Sequence, residues 1–177
     1  GEQLIRLEEL AGSTGAALYT AYNHRFEPHV VRLKELLDSG VLGKVYAARL
    51  FYGNGTAQDV RNSAWRDKGL GALEDLGTHL LDLSLFLFGP INCTFEIWSA
   101  SRFETRSFDH VLFGAGETPF LELAATFLSW RNTFTVDVLA ELGSAHISGL
   151  CKWGPSTFTV RRRVFPSGAP KEEVNTV

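Results

Sequence analysis

The chain has 177 residues, 45% of them hydrophobic and 21% charged, with a formal net charge of −3, enough for one domain with a real core or one domain plus a fragment. That balance excludes an electrostatic nucleic-acid binder and a disordered chain, and no apolar run reaches the roughly 18 residues that a membrane helix needs. Cys93 and Cys151 are too few for a disulfide framework and lack metal-ligand spacing, so they read as free thiols in a reducing, cytoplasmic setting, with one disulfide as the alternative.

Gly1 is followed at once by an amphipathic helix over residues 2–11, with Leu4, Leu7 and Leu10 or Ala11 on one face and no cap or methionine before it. Residues 16–22 then read as a short strand of buried character. A helix and a strand at the edge of a chain suit the last αβ step of a sheet whose other strands lie upstream, so the start reads as a cut inside a larger protein.

Phe26, Val30, Leu33 and Leu37 recur at i, i+4, i+7 and i+11 and predict a helix that Pro28 opens and Gly40 closes. Residues 44–52 alternate as a strand. Residues 53–68 form a long loop, and loops of this length inside compact domains are usually functional or mobile.

Between Gly69 and Gly89, Leu76, Leu80, Leu83 and Leu87 keep helical spacing while Leu81, Leu85, Phe86 and Phe88 fill much of the remaining cylinder. Such a helix wants burial nearly all round. Into it the sequence sets Asp75, His79 and Asp82, within about 60° of one another on one line. An unpaired buried polar group costs roughly 1–3 kcal/mol and a charge more. The three groups therefore either satisfy one another, as a core histidine bridging two carboxylates, or face a cleft as a functional site, and spacing alone leaves both open.

Beyond Pro90 come six strand-like segments at residues 94–103, 107–113, 120–130, 133–141, 145–150 and 157–165, parted by short turns. Short connections mean antiparallel pairing, so the expected fold class is α+β: a large, mainly antiparallel sheet with the two helices packed on one face. Phe120, Leu123, Phe127, Trp130, Phe134, Val136 and Val138 exceed what one helical layer needs, which predicts self-association through the other face. Residues 166–177 are expected to wrap or fray.

Other chemistry finds little support. The Gly-x-Gly pairs at Gly53, Gly69 and Gly114 lack the third glycine and the strand-to-helix context of a dinucleotide fingerprint. Arg161-Arg-Arg163 reads as a solvated edge strand rather than an anion site. His24, His29, Asp75, His79 and Asp82 could hold zinc or manganese, but their spacing matches no established ligand pattern, so no metal is expected.

Gly71-Ala-Leu-Glu-Asp-Leu-Gly-Thr-His-Leu-Leu-Asp82 resembles the Asp-x-x-x-His stretch of the Gfo/Idh/MocA family of glucose–fructose oxidoreductases and inositol dehydrogenases. Tyr22-Asn-His-Arg-Phe26, Ser39-Gly-Val-Leu-Gly-Lys-Val45, Trp65-Arg66 and Gly143-Ser-Ala145 are similar to further family landmarks, in the same order. The resemblance implies residues 1–22 as the last helix and strand of a truncated Rossmann domain and 23–177 as the substrate-binding and oligomerisation domain. The family's Gly-x-Gly-x-x-Gly and Glu-Lys-Pro motifs are not in this sequence.

By resemblance, the intact protein would oxidise a sugar or cyclitol hydroxyl with NAD or NADP, and this chain alone would bind neither. Loss of the hydroxyl proton suits a histidine with an ordinary pKa of about 6.5, which makes His79 the implied base and Asp75 the residue that orients it and touches substrate. Asn23, Arg25, Trp65 and Arg66 are the implied pocket residues, although Arg25 would serve equally as a cap or ion pair and Trp65 as a plug for the long loop. Asp82 is expected to bond within the domain. The partners implied are a small sugar or polyol and further copies of the chain, as a dimer or tetramer through the sheet face. The alternatives are a non-catalytic oligomerisation or ligand-binding module of the same fold, and a metal-dependent hydrolase or isomerase.

Overall fold

The computed structural model describes residues 2–91 and 94–177; the readings placed on Gly1 and Cys93 lie outside the described residues. Eight strands, β1 (Val45–Gly53), β2 (Glu96–Ser101), β3 (His110–Ala115), β4 (Phe120–Thr126), β5 (Thr133–Ala140), β6 (Gly143–Ser148), β7 (Thr157–Arg162) and β8 (Lys171–Thr176), form one sheet in the order β2-β3-β4-β1-β5-β6-β7-β8. Every neighbouring pair is antiparallel except β1 and β4. Those two are far apart in sequence, and the helical segment and hairpin between them supply the long crossover that parallel pairing requires. The α+β class expected from the sequence is the class observed.

Alternation along the strands sends one set of side chains inward. Ala48, Leu50 and Tyr52 of β1, Leu121, Leu123 and Ala125 of β4, and Phe134, Val136 and Val138 of β5 are buried. They meet Val30 and Leu33 of α2 (Pro28–Asp38) and Leu80, Leu83 and Leu87 of α4 (Thr78–Phe88) in one core. This corrects the argument for an apolar outer face. Of the seven residues counted toward it, Leu123, Phe127, Phe134, Val136 and Val138 line the core, and only Phe120 and Trp130 are exposed.

Four further expectations are corrected. Residues 16–22 form no strand, because no described strand lies alongside to complete a ladder. The loop at 53–68 contains a short helix, α3 (Ala57–Arg61), anchored by the buried Ala57 and Val60. The tail does not fray: β8 pairs with β7, and Ser156 and Val177 exchange backbone bonds of 2.8 and 3.0 Å. The arginine run therefore lies one strand in from the edge, where Arg161 pairs with Glu172 at 2.6 Å and Arg162 with Glu173 at 3.6 Å across the ladder.

The helix α1 (Glu2–Thr14) buries no residue, and Leu4, Leu7 and Leu10 stand about half exposed. The central helix is not continuous from Gly69. Leu73–Gly77 forms a π-turn before α4 begins, and Gly71 sets its start in the left-handed region at φ 55°. A Cβ there would lie 2.2 Å from the carbonyl oxygen of Phe108, which instead accepts the N–H of Ala72 at 2.7 Å. Among the described residues, no helix is long and apolar enough to cross a membrane.

Candidate functional site

A short 3₁₀ turn, Asn23–Phe26, leads into α2 and presses His24 and Arg25 against the start of α4. His24 is 2% exposed. Its ring stacks on Phe134 with centroids 5.9 Å apart and meets Tyr52 edge-on at 5.1 Å. Its Nδ1 lies 2.9 Å from Nδ1 of His79, and its Nε2 lies 3.4 Å from Nζ of Lys152. His79 is half-buried, with Tyr22 and Tyr52 edge-on to its ring. Among the described residues its Nε2 has no hydrogen-bond partner and is not sealed from solvent.

The line of Asp75, His79 and Asp82 is dispersed onto three different partners. Arg25 donates from Nε to Asp82 Oδ2 at 2.7 Å and through its second nitrogen to Oδ1, a bidentate clamp. Phe86 lies under the Arg25 guanidinium at 5.4 Å. Asp75 takes a hydrogen bond from Arg66 at 3.0 Å. His79 is thus no core histidine bridging two carboxylates, and Asp75 does not orient its imidazole; His24 holds that position. The π-turn explains why the regular 3.6-residue spacing misleads, since Asp75 sits within it and His79 beyond it.

Electrostatics follow from this enclosure. Burial, then His79 and Lys152, push His24 down to about 3. Burial and Lys152 also lower His79, while Asp75 and Asp82 oppose the shift. Burial raises the Tyr52 phenol, with Asp75 adding to it. Both imidazoles are therefore uncharged at neutral pH, able to donate and accept one hydrogen each.

A cavity of about 610 Å³ is walled by Trp65, Arg66, Lys68, Glu74, Asp75 and Phe127 and is lined by neither imidazole. Asp75 is common to this cavity and to the electrostatic surroundings of His79. Trp65 is 78% exposed, so it plugs no core. Asn23 is exposed and holds no side-chain hydrogen bond among the described residues. Trp65, Arg66 and Asp75 come together at the cavity; His79, His24 and Arg25 gather along α4.

The sequence marks His24 only as a possible metal ligand and as part of the Tyr22–Phe26 landmark, and it marks neither Tyr52 nor Lys152. Tyr52 occupies an ordinary inward strand position and Lys152 a turn 128 residues beyond His24, so neither carries a local signal. Among the described residues, no group of three or more metal-ligating side chains converges. His29 faces elsewhere, bonded to Ser156 at 2.8 Å and to Asn175 of β8 at 3.2 Å. Cys151 is a free thiol whose pKa burial raises further, which keeps it protonated and a poor nucleophile. On the outer sheet face, Ser144, His146 and Asp137 bond in triad order at 2.8 and 2.6 Å. Strand pairing on both sides of β6 leaves no backbone N–H there to hold an oxyanion.

The model of the GFO/IDH/MocA C-terminal domain matches residues 30–145. The uncharacterised oxidoreductase YdgJ of Escherichia coli (strain K12) is 36% identical over 99 residues, 54% of this chain and 28% of its own length. Levoglucosan dehydrogenase of Pseudarthrobacter phenanthrenivorans is 29% identical over 110 residues, 58% of this chain and 28% of its own. The chain thus spans little more than a quarter of these relatives. An inositol dehydrogenase homologue from Azotobacter vinelandii, solved with NADH and myo-inositol, shares the fold with a TM-score of 0.76 at 15% identity, over 99% of this chain and 46% of that one.

Proposed function

Since the chain belongs to the GFO/IDH/MocA family, we propose that it is the substrate domain of an NAD(P)-dependent oxidoreductase that oxidises a sugar or cyclitol hydroxyl. The single observation that carries this is the state of His79: uncharged, engaged through Nδ1, and open at Nε2, with Asp75 of the cavity wall among the charges that act on it. Such a group exchanges a proton with a hydroxyl or carbonyl oxygen at neutral pH. The names of the relatives support the substrate class, since one acts on levoglucosan and another was solved with myo-inositol.

Trp65 offers an exposed flat ring to a sugar, and Arg66, held by Asp75, offers a donor from the cavity wall. Asn23 and Arg25 complete the proposed pocket, Arg25 through its fixed placement on Asp82. The described residues do not fit a dinucleotide: Gly71 packs against Phe108, Glu74 fills the space over Gly69, and no third glycine follows. The nicotinamide would be held outside this chain, by the nucleotide domain to which residues 1–22 are assigned. The unburied apolar stripe of α1 supports that division, with residues 23–177 as the substrate domain.

The test is a screen of the intact protein with NAD⁺ and NADP⁺ against sugars and cyclitols. Cofactor-linked turnover is expected, and none with any of them would overturn the reading. The 177-residue chain by itself should show no turnover.

A further inference from the structure

We propose that Lys152, His24 and His79 form a proton wire joining the open nitrogen of His79 to bulk water. It rests on the reading of His79 as the group that exchanges a proton with substrate. The wire is built by three elements distant in sequence: the 3₁₀ turn carrying His24, the start of α4 carrying His79, and the Cys151–Trp153 turn carrying Lys152. Lys152 is exposed and its ammonium lies 4.9 Å from the centre of the Trp153 ring, so one end of the chain of contacts is in water. His24, in the middle, is sealed.

Hydrogen-bond logic assigns the tautomers from the outside inward. An ammonium donates and cannot accept, so His24 Nε2, 3.4 Å from Lys152 Nζ, is an acceptor. A neutral imidazole carries one hydrogen, which therefore sits on His24 Nδ1. That atom is 2.9 Å from His79 Nδ1, and only one hydrogen can lie between them. His24 donates, His79 Nδ1 accepts, and the hydrogen of His79 is left on Nε2, the nitrogen without a partner among the described residues.

This arrangement makes His79 a proton donor in its resting state. Giving up Nε2–H alone would leave an imidazolate, so Nδ1 must gain a hydrogen as Nε2 loses one. When a substrate carbonyl is reduced, the Nε2–H bond breaks and its proton goes to the new alkoxide oxygen. The proton on His24 Nδ1 moves to His79 Nδ1, and one from Lys152 moves to His24 Nε2. Lys152 is left as a neutral amine that regains a proton from water. In alcohol oxidation each transfer reverses: His79 accepts at Nε2 only when Lys152 starts unprotonated and ends as the ammonium. The other groups facing the pair are Asp75 and Asp82, whose charges favour a protonated His79, and Tyr22 and Tyr52, whose rings stand edge-on to it.

Two measurements test the wire. Long-range ¹H–¹⁵N NMR on the chain should find His24 protonated at Nδ1 and His79 at Nε2 at pH 7; the opposite tautomer at either ring would overturn the proposal. In the intact enzyme, Lys152→Met and Lys152→Arg should each lose about tenfold or more in turnover, with KM changed by less than about twofold. Methylamine should restore the methionine variant in part. An arginine keeps the charge and the hydrogen bond to His24 but releases no proton, so full turnover in Lys152→Arg would equally overturn the wire. Absence of NAD(P)-linked turnover in the unaltered enzyme would instead sink the dehydrogenase reading, and the tautomers would still decide the wire.

Discussion

Burial alters the proton affinity of two ordinary side chains, His24 and His79. An exposed histidine is half charged near pH 6.5, and enclosure by Phe134, Tyr52 and the partner ring keeps His24 neutral far below that. The same shift is a stability statement. The unfolded chain takes up a proton at His24 below its ordinary 6.5 and the folded chain does so only near 3, so stability is complete above 6.5 and falls as the pH drops between the two values. Each unit is worth about 1.4 kcal/mol at most. Urea midpoints should fall from pH 7 to pH 5, with a shallower fall in His24→Gln. At the proposed reaction centre, His79→Ala in the intact protein should cut turnover by roughly 10²–10⁴ and lower the urea midpoint by the equivalent of about 1–3 kcal/mol, because the buried His24 Nδ1–H loses its acceptor. An unchanged rate would remove His79 from the mechanism.

Elements bring these residues together through backbone detail rather than side-chain pattern. The π-turn Leu73–Gly77 points Asp75 at Arg66 while α4 aims His79 at His24. That turn depends on Gly71, which alone fits both φ 55° and the Phe108 carbonyl. Gly71→Ala should destabilise by at least about 1–2 kcal/mol from the left-handed conformation alone, read from the denaturation midpoint, and should also disturb the cavity. By contrast, Glu172→Ala on the edge strand removes an exposed ion pair and should cost less than about 1 kcal/mol.

At the scale of the whole molecule, eight strands present one face to the helices and leave the other open. On the open face Trp98 stacks on Phe120 at 5.6 Å, both about 40% exposed, beside the Arg49–Glu122 pair. That mixture of apolar and paired polar groups suits the proposed contact between copies of this chain. Sedimentation velocity on the intact protein should show a dimer or tetramer, dissociated by Trp98→Glu with Phe120→Glu; a monomeric wild type would remove the assembly reading. The class of fold, most strands and both packed helices were legible in the sequence, because period-2 and period-3.6 patterns record which face of each element is buried. His79 stood out there as a candidate as well, because an ionisable group in an apolar helix is costly and a family landmark contains it. Residues 16–22 form no strand here because local propensity cannot supply a ladder partner, and the tail strand has no signal of its own because its partner β7 is a tertiary fact. That Asp75 belongs to Arg66, that Asp82 holds Arg25, and that Lys152 and His24 stand in line with His79 emerges from the folded chain alone. Those contacts join residues on separate elements, and periodicity reports the face a side chain occupies, never the neighbour it meets there.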